Sequence, residues 1–453
     1  MKQIHFNKSH NEYFKVSHYT HVFEYGDSYC LLYNAKSNML AHIPKEIGGA
    51  IKNSSSNPIF RQLLSHEGIK QKLIKGGFIV EIERDETQEA LNIIRDARKV
   101  SSWLGITIAP TMACNFSCPY CFEPKESMGT MSDLTSQKLI SFLESKLEGR
   151  KNLSVTWYGG EPTLAVERIE QLTKSIDKLV NDRNIALYCE IITNGYNLNS
   201  TIRKRLASCY ISRYQITIDG PPDIHNIRRI PKSGKKSFWR IVNNIKPLME
   251  LYQVDIRVNI DRNNVDHIDA LVEILSKEGI LSHCSLNFSH VDAITSASSG
   301  YKGNCLSLPV FAKNAHELYR KNRNYLVNPP FPESPHTCSA LGPNSYVIDS
   351  QGRLYRCWTG IGDDQESIGS IYNPENIEYS DTLSNFNIET NLSCNECNVL
   401  PICLGGCPYK FIILENSKDR CVKWKYTLQE TIKDYADWSR VKTTNVLTNP
   451  KTC

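Results

Sequence analysis

The sequence predicts an α/β protein built on a parallel, barrel-like sheet of six β/α repeats, with a small strand-rich domain before it and a cysteine-rich region after it. Three observations carry that prediction. Between residues 105 and 291, six strand-like apolar runs alternate with amphipathic helical stretches, the pattern of a parallel sheet. Ahead of them, roughly 70 residues read as short strands and helices bounded by glycine. The chain also holds 16 cysteines, gathered mainly at 114–121 and 338–421.

Taken in order, residues 1–16 are polar and predict a loosely held start. Tyr19 to Tyr25 and Ser28 to Asn34, joined through Gly26-Asp27, read as a β-hairpin. Asn38 to Ile43 adds a third strand, helices follow near 44–51 and 59–74, and Gly76 to Ile82 reads as a closing strand. Residues 83–102, with Leu91, Ile93, Ile94 and Ala97 at helical spacing, predict a linker helix. Strands are expected at 105–111, 154–157, 187–193, 214–219, 255–260 and 285–291, with helices near 132–148, 165–182, 199–208, 237–252 and 264–279. Six repeats fall short of a full eightfold barrel. The small, polar run 293–304 reads as a linker, followed by a helix near 308–324 and an extended connector, Asn328 to Pro332. Val347 to Arg356 reads as a hairpin turning at Gly352, and 423–440 as a terminal helix whose aromatics form a packed face.

Bulk properties exclude several classes. Hydrophobic content of 40%, charged content of 22% and a formal charge of +5 are ordinary for a soluble chain. No run of Lys and Arg interleaved with aromatics argues for nucleic acid. The polar N-terminus lacks a signal peptide's apolar core, and no run of about 18 apolar residues predicts a membrane span. A cytoplasmic protein follows, in which disulfides are rare and clustered cysteines read as metal ligands. Cys30, Cys189, Cys209 and Cys284 are scattered and read as ordinary buried thiols, and Cys453 as a terminal residue.

Cys114, Cys118 and Cys121 sit within eight residues, spaced C-x3-C-x2-C, just after the first barrel strand. Thiolates at such spacing select iron–sulfur clusters or zinc. A four-iron cube normally takes four cysteines, so three leave one iron open to a small molecule. Zinc or a structural cluster stays open on these residues alone.

With Tyr120 before its last cysteine, this loop resembles that of the radical S-adenosylmethionine (SAM) superfamily. The resemblance implies an open (β/α)6 partial TIM barrel and a [4Fe–4S] cluster on Cys114, Cys118 and Cys121 whose free iron binds SAM. Tyr158-Gly159-Gly160-Glu161-Pro162, after the second strand, resembles the family motif that binds the SAM amino group. Its glycines let backbone carbonyls come close, and Glu161 accepts a hydrogen bond or shapes the turn. A plain Gly-Gly-Pro turn is the alternative. By the same resemblance Asn194 and Asn259 line the SAM site, and the backbone at Phe122 meets the adenine. His225 reads as a hydrogen-bonded loop histidine rather than a catalytic base.

Downstream, Cys338-x13-Gly352-x4-Cys357, then Cys394-x2-Cys397-x5-Cys403-x3-Cys407, then Cys421 resembles the SPASM domain of radical SAM peptide maturases. That resemblance implies two further [4Fe–4S] clusters, three in all. Cys394, Cys397, Cys403 and Cys421 would hold the outer one; Cys338, Cys357 and Cys407 the inner one. No cysteine lies between Cys338 and Cys357, so the inner cluster keeps an open iron or Cys305 reaches in. Seven cysteines do not divide into two zinc sites, and His336 is the nearest histidine.

The N-terminal domain resembles a winged-helix-like peptide-recognition domain, to which a leader peptide adds as a strand. Three domains are thus expected: peptide recognition at 17–85, radical SAM barrel at 103–300 and SPASM at 335–425. The implied activity is an oxidative intramolecular crosslink, a cysteine thioether first, in a ribosomally made precursor peptide (a RiPP). The implied partners are that peptide and an external electron donor such as a flavodoxin or ferredoxin. Carbon–carbon crosslinking, epimerisation and anaerobic sulfatase maturation are alternatives, the last disfavoured by the N-terminal domain. From other classes come a non-catalytic iron–sulfur electron carrier and a zinc-bearing peptide chaperone.

Overall fold

The computed structural model describes residues 13–442 except 55–56, 100–101, 125–128, 324–330, 333–337, 379–382, 384–385 and 415–417. His336 and Cys453 lie outside the described residues. The strands are β1 (Phe14–Val16), β2 (Thr20–Tyr25), β3 (Tyr29–Asn34), β4 (Met39–Pro44), β5 (Ile79–Glu81), β6 (Trp103–Ile108), β7 (Asn152–Trp157), β8 (Ala186–Thr193), β9 (Ile211–Thr217), β10 (Gln253–Ile260), β11 (Cys284–His290), β12 (Ser345–Ile348), β13 (Arg353–Tyr355) and β14 (Gly369–Ser370).

Strands β6 to β11 pair in sequence order, each parallel to the next. Helices Asp133–Lys146, Val166–Asn181, Ser200–Leu206, Phe238–Met249 and Ile268–Lys277 separate them. Their inner faces meet the strands in one large core that includes Trp157, Tyr214, Phe142 and Phe238. The sheet order runs β11-β10-β9-β8-β7-β6-β12-β13-β14, so the barrel is open. The hairpin β12–β13 turns where Gly352 sits at φ +83°, a conformation that favours glycine. Periodicity did not reveal that β12 pairs parallel to β6, so the hairpin extends the barrel sheet itself.

The N-terminal part differs from expectation in three ways. Residues Phe14–Val16 are not loose; they pair antiparallel with Ile79–Glu81, so β5 closes onto β1 rather than onto the hairpin. The expected helix 59–74 is two helices, Pro58–Ser65 and Glu67–Lys75, broken at His66 where the backbone is extended. The three-stranded sheet β2-β3-β4 uses both faces. Leu32 and Ala41 pack on the helices beside it. On the other face Leu31 and Tyr33, alternate residues of β3, share a core with Ile388, Leu400, Leu404 and Ile432 of the C-terminal region. The linker helix, Glu86–Ala97, contributes Ala90, Leu91 and Ile94 to that same core.

The stretch 293–304 is no linker. Ser296–Asn304 is a 3-10 helix, entered through a reciprocal cap between Thr295 and Ser298. It is anchored by Tyr301, whose hydroxyl donates to Asp261 Oδ2 at 2.8 Å. Among the described residues no helix is long and apolar enough to cross a membrane.

Candidate functional site

The polar motifs collect at the C-terminal ends of the barrel strands, the end that carries the chemistry in β/α barrels. The cysteine loop leaves β6 and is fixed from several directions. Ser117 N–H donates to Ile230 O and Lys232 N–H to Asn115 O, both at 2.8 Å. Asn194 Nδ2–H donates to Asn115 Oδ1 at 2.7 Å, and the Tyr120 hydroxyl donates to Asp219.

Gly159 and Gly160 are where the second strand's turn nests into that loop. A Cβ on Gly159, at φ +105°, would lie 2.4 Å from Thr111 O. A Cβ on Gly160 would lie 2.4 Å from Met112 O and 2.5 Å from Ala113 O. Only glycine lets these two backbones meet. Glu161 is fully buried and its carboxylate is spent on protein. It accepts from Thr163 N–H at 3.0 Å, Asn194 N–H at 2.7 Å, and the hydroxyls of Thr163 and Thr193 at 2.5 and 2.6 Å. Of the two roles the sequence allowed Glu161, this geometry performs the turn-shaping one. Pro162 starts the short 3-10 helix after it.

Cys114, Cys118 and Cys121 are free, half-buried thiols. Burial pushes Cys114 and Cys121 up to about 12, and neighbouring members of the trio push in the same direction. Burial likewise raises Cys118, which Arg229 opposes. Three sulfurs in one desolvated loop, resisting ionisation chiefly through burial, suit a cationic metal centre that takes all three as thiolates. The donor set and the glycine cradle therefore fit an iron–sulfur cluster.

The other candidates lie close by. Asn194 is buried, and its Oδ1 accepts from Tyr196 N–H at 3.0 Å. Asn259 Oδ1 accepts from Arg257 Nε–H at 2.9 Å, and its N–H donates to Asp219 Oδ1 at 2.9 Å. The Phe122 carbonyl accepts the Thr295 hydroxyl at 3.0 Å. His225 lies in the helix Pro222–Arg228, not a loop, and is fully buried. Its Nδ1 accepts from Asp219 N–H at 3.2 Å. Burial, then Arg229 and Arg228, hold its pKa well below the usual value, so it is neutral.

The later cysteines fall into two groups. Cys338, Cys357 and Cys407 line one small apolar cluster with Ala340, Leu383, Tyr409 and Ile294. Cys403 feels Cys397, Cys421 and Cys394 as neighbouring charges, and Lys425 Nζ–H donates to Cys397 Sγ at 3.1 Å. Cys305 does not join the inner trio. It packs beside Tyr120, Tyr301 and Cys118, with its Sγ 3.8 Å from Tyr301 O. Cys30, Cys189, Cys209 and Cys284 are buried free thiols. Among the described residues no three His, Cys, Asp or Glu side chains gather closely enough to hold a single metal ion.

Sequence reasoning assigned no role to Glu123, Arg228 or Arg229. Glu123 is buried, pushed up to about 7 by desolvation, and bonded to Tyr158. Tyr158 in turn stacks on Trp358, centroids 5.2 Å apart. The run from Asp219 to Arg229 drew attention through His225 and through Asp219-Gly220-Pro221 at the end of the fourth strand, and nothing local in it signals that its arginines turn toward the cysteine loop.

Comparison with known proteins agrees with this architecture. Residues 108–275 match the Radical SAM superfamily. A cysteine-type anaerobic sulfatase-maturating enzyme of Clostridium novyi is 26% identical over 335 residues, 67% of this chain and 87% of that protein. The sporulation killing factor maturation protein SkfB of Bacillus subtilis is 27% identical over 177 residues, 39% of this chain and 40% of that protein. Among solved structures, native anSMEcpe with bound AdoMet and Kp18Cys peptide superposes with a TM-score of 0.58 at 21% identity, covering 75% of this chain and 98% of that one. Streptococcus suis SuiB bound to S-adenosylmethionine gives 0.50 at 16% identity, covering 90% and 98%. With strands β7 to β10 and the three-cysteine loop inside the matched span, residues 108–275 of this chain are a radical SAM domain.

Proposed function

We propose that this chain is a radical SAM peptide maturase that joins a cysteine sulfur to a carbon of the same ribosomally made precursor peptide. The supporting observation is the three-cysteine loop at the mouth of an open barrel, clasped by Gly159 and Gly160 and followed by seven further cysteines in two groups. Cys114, Cys118 and Cys121 would hold a [4Fe–4S] cluster, and Gly159 to Pro162, Asn194, Asn259, Tyr120 and the Phe122 backbone would surround S-adenosylmethionine. Together, when bound, these groups supply a 5′-deoxyadenosyl radical able to take a hydrogen atom from one C–H bond of the peptide.

The chain's own residues position and shield that chemistry. Glu161 locks the ends of β7 and β8, fixing the loop against which a ligand would sit. The buried Tyr120, Met112 and Tyr158 keep water from the loop's inner side. Crosslinking removes two hydrogens from the peptide, so one electron and one proton must leave after the hydrogen atom. Clusters on Cys338/Cys357/Cys407 and on Cys394/Cys397/Cys403/Cys421 would carry that electron away, and an external donor such as a flavodoxin or ferredoxin would supply the separate electron that cleavage of S-adenosylmethionine consumes. The inner trio, which Cys305 does not join, would leave an iron free for the substrate thiolate. The N-terminal unit, within the expected 17–85, would take the leader peptide as an added strand at β2 or β4, the edges of its sheet.

A second reading, maturation of a sulfatase, is favoured by the likeness to the clostridial enzyme over 87% of that protein. One experiment separates the two. The chain is co-expressed anaerobically with a short cysteine-containing precursor peptide, or with a sulfatase peptide, and each product is read by fragmentation mass spectrometry. Loss of two hydrogens with one thiol blocked supports the thioether; a new aldehyde in the sulfatase peptide alone overturns it.

A further inference from the structure

Arg229 sits where no motif would have placed a functional group. Its chain segment is stitched to the cysteine loop by a bridge between Phe116 and Pro231, flanked by the bonds Ser117 N–H to Ile230 O and Lys232 N–H to Asn115 O. The Arg229 carbonyl accepts from the Ser237 hydroxyl at 2.8 Å, which fixes the backbone from behind. The side chain then meets three members of the loop. Its guanidinium lies over the Phe116 ring, 5.4 Å from the centroid. It donates to the Tyr120 hydroxyl at 3.3 Å, and its charge lies near enough to Cys118 to favour the thiolate. Its Nε–H has no hydrogen-bond partner among the described residues.

The surrounding charges leave this cation for the loop. Arg228 is taken by Asp261, at 2.7 and 2.6 Å from its two oxygens. Asp219 accepts from Tyr120 and from Asn259 N–H. Burial opposes the charge on Arg229, and Cys118 leads the groups that support it, ahead of Tyr120 and Asp219.

Resting on the radical SAM reading of that loop, we infer that Arg229 is a positioning residue that holds Cys118 and offsets negative charge on a cluster bound there, favouring its reduced state. A [4Fe–4S] core on three thiolates is net negative, and one-electron reduction adds a further negative charge. A fixed guanidinium at the thiolate therefore stabilises the reduced form more than the oxidised one. Lysine keeps the charge without the fork.

The test uses the full chain, loaded anaerobically with iron and sulfide, as wild type, Arg229→Gln and Arg229→Lys. The readout is the reduced-to-oxidised ratio, at fixed potential, of the electron paramagnetic resonance signal that changes when SAM is added. Arg229→Gln is expected to lower the ratio at least tenfold, about 59 mV for a one-electron couple, while Arg229→Lys stays within about threefold. An unchanged ratio in Arg229→Gln overturns the inference. If Arg229→Gln fails to load, Arg229→Lys decides: a ratio near wild type supports the charge role, and a tenfold fall overturns it. Failure of the underlying reading looks different, because a Cys114/Cys118/Cys121→Ala variant would then keep both its full iron and the SAM-responsive signal.

Discussion

Replacing Glu161 separates a turn-shaping carboxylate from a ligand-binding one. Its two oxygens satisfy two backbone amides, Thr163 and Asn194, and the hydroxyls of Thr163 and Thr193, at full burial. In Glu161→Ala the hydroxyls can rotate toward other acceptors, but the amides cannot. Each stranded amide costs about 1–3 kcal/mol, so the pair costs about 4 kcal/mol locally. At 1.36 kcal/mol per tenfold, this corresponds to exchange of the β8 C-terminal amides and the Asn194 amide roughly 1,000-fold faster. Glu161→Gln keeps one acceptor oxygen and turns an NH2 toward the other donor, so roughly half that penalty is expected. Hydrogen exchange read by mass spectrometry on peptides spanning 152–166 and 186–198 measures it without any bound cofactor. Exchange within about threefold of wild type in Glu161→Ala, coupled with lost SAM affinity, would refute the argument and return Glu161 to the ligand.

Three other outcomes follow from the same geometry. Gly160→Ala drives a Cβ into the Met112 and Ala113 carbonyls at 2.4 and 2.5 Å, so about 1–3 kcal/mol of stability and iron uptake at the cysteine loop should both fall, seen as a lower unfolding midpoint and a lower iron-to-protein ratio. His225 is held neutral in the fold, whereas the unfolded chain takes up a proton near its ordinary pKa of about 6.5. The unfolded state then binds more protons, so stability is full above that pH and falls below it; an unfolding-midpoint series from about pH 5 to 8 should show this slope and His225→Gln should flatten it. Cys403→Ala and Cys407→Ala should each remove about four irons, and the double variant about eight; equal losses in the singles and the double would mean the two sets are one centre.

Which features were legible depended on how far apart the interacting residues lie in the chain. The six barrel strands were readable because each is an apolar run bounded by turn residues and followed by an amphipathic helix, and all six match the structure to within a few residues. The cysteine loop and the Gly-Gly pair were readable because ligand spacing and tight turns are local. Phe14–Val16 was not, since it is a strand only through its pairing with residues some 65 positions on. The run 293–304 was misread because serine and glycine usually mark linkers. What orders it is a Thr295–Ser298 cap and the distant contact of Tyr301 with Asp261. Arg229 as a site residue, and the contact of Asp219 with the cysteine loop, were invisible for the same reason: the two meet Tyr120 across 109 and 99 positions.

The loop after β11 shows why the two cysteine regions are best understood together. Val291 packs with Tyr120 and Cys118, and the Thr295 hydroxyl bonds the Phe122 carbonyl next to Cys121. Between them, Asp292 pairs with Lys410 at 2.5 Å, three residues past Cys407, and Ile294 packs on the same small apolar cluster as Cys338, Cys357 and Cys407. Five consecutive residues therefore meet the first cysteine loop at both ends and the surroundings of the inner trio between them. A barrel closed by further strands would bury this end of β11; because the sheet is open there, the loop is free to bond in both directions. The missing strands thus do more than widen the mouth. They leave the last strand end available to fix the spacing between two groups of thiols that the chain itself separates by more than 200 residues.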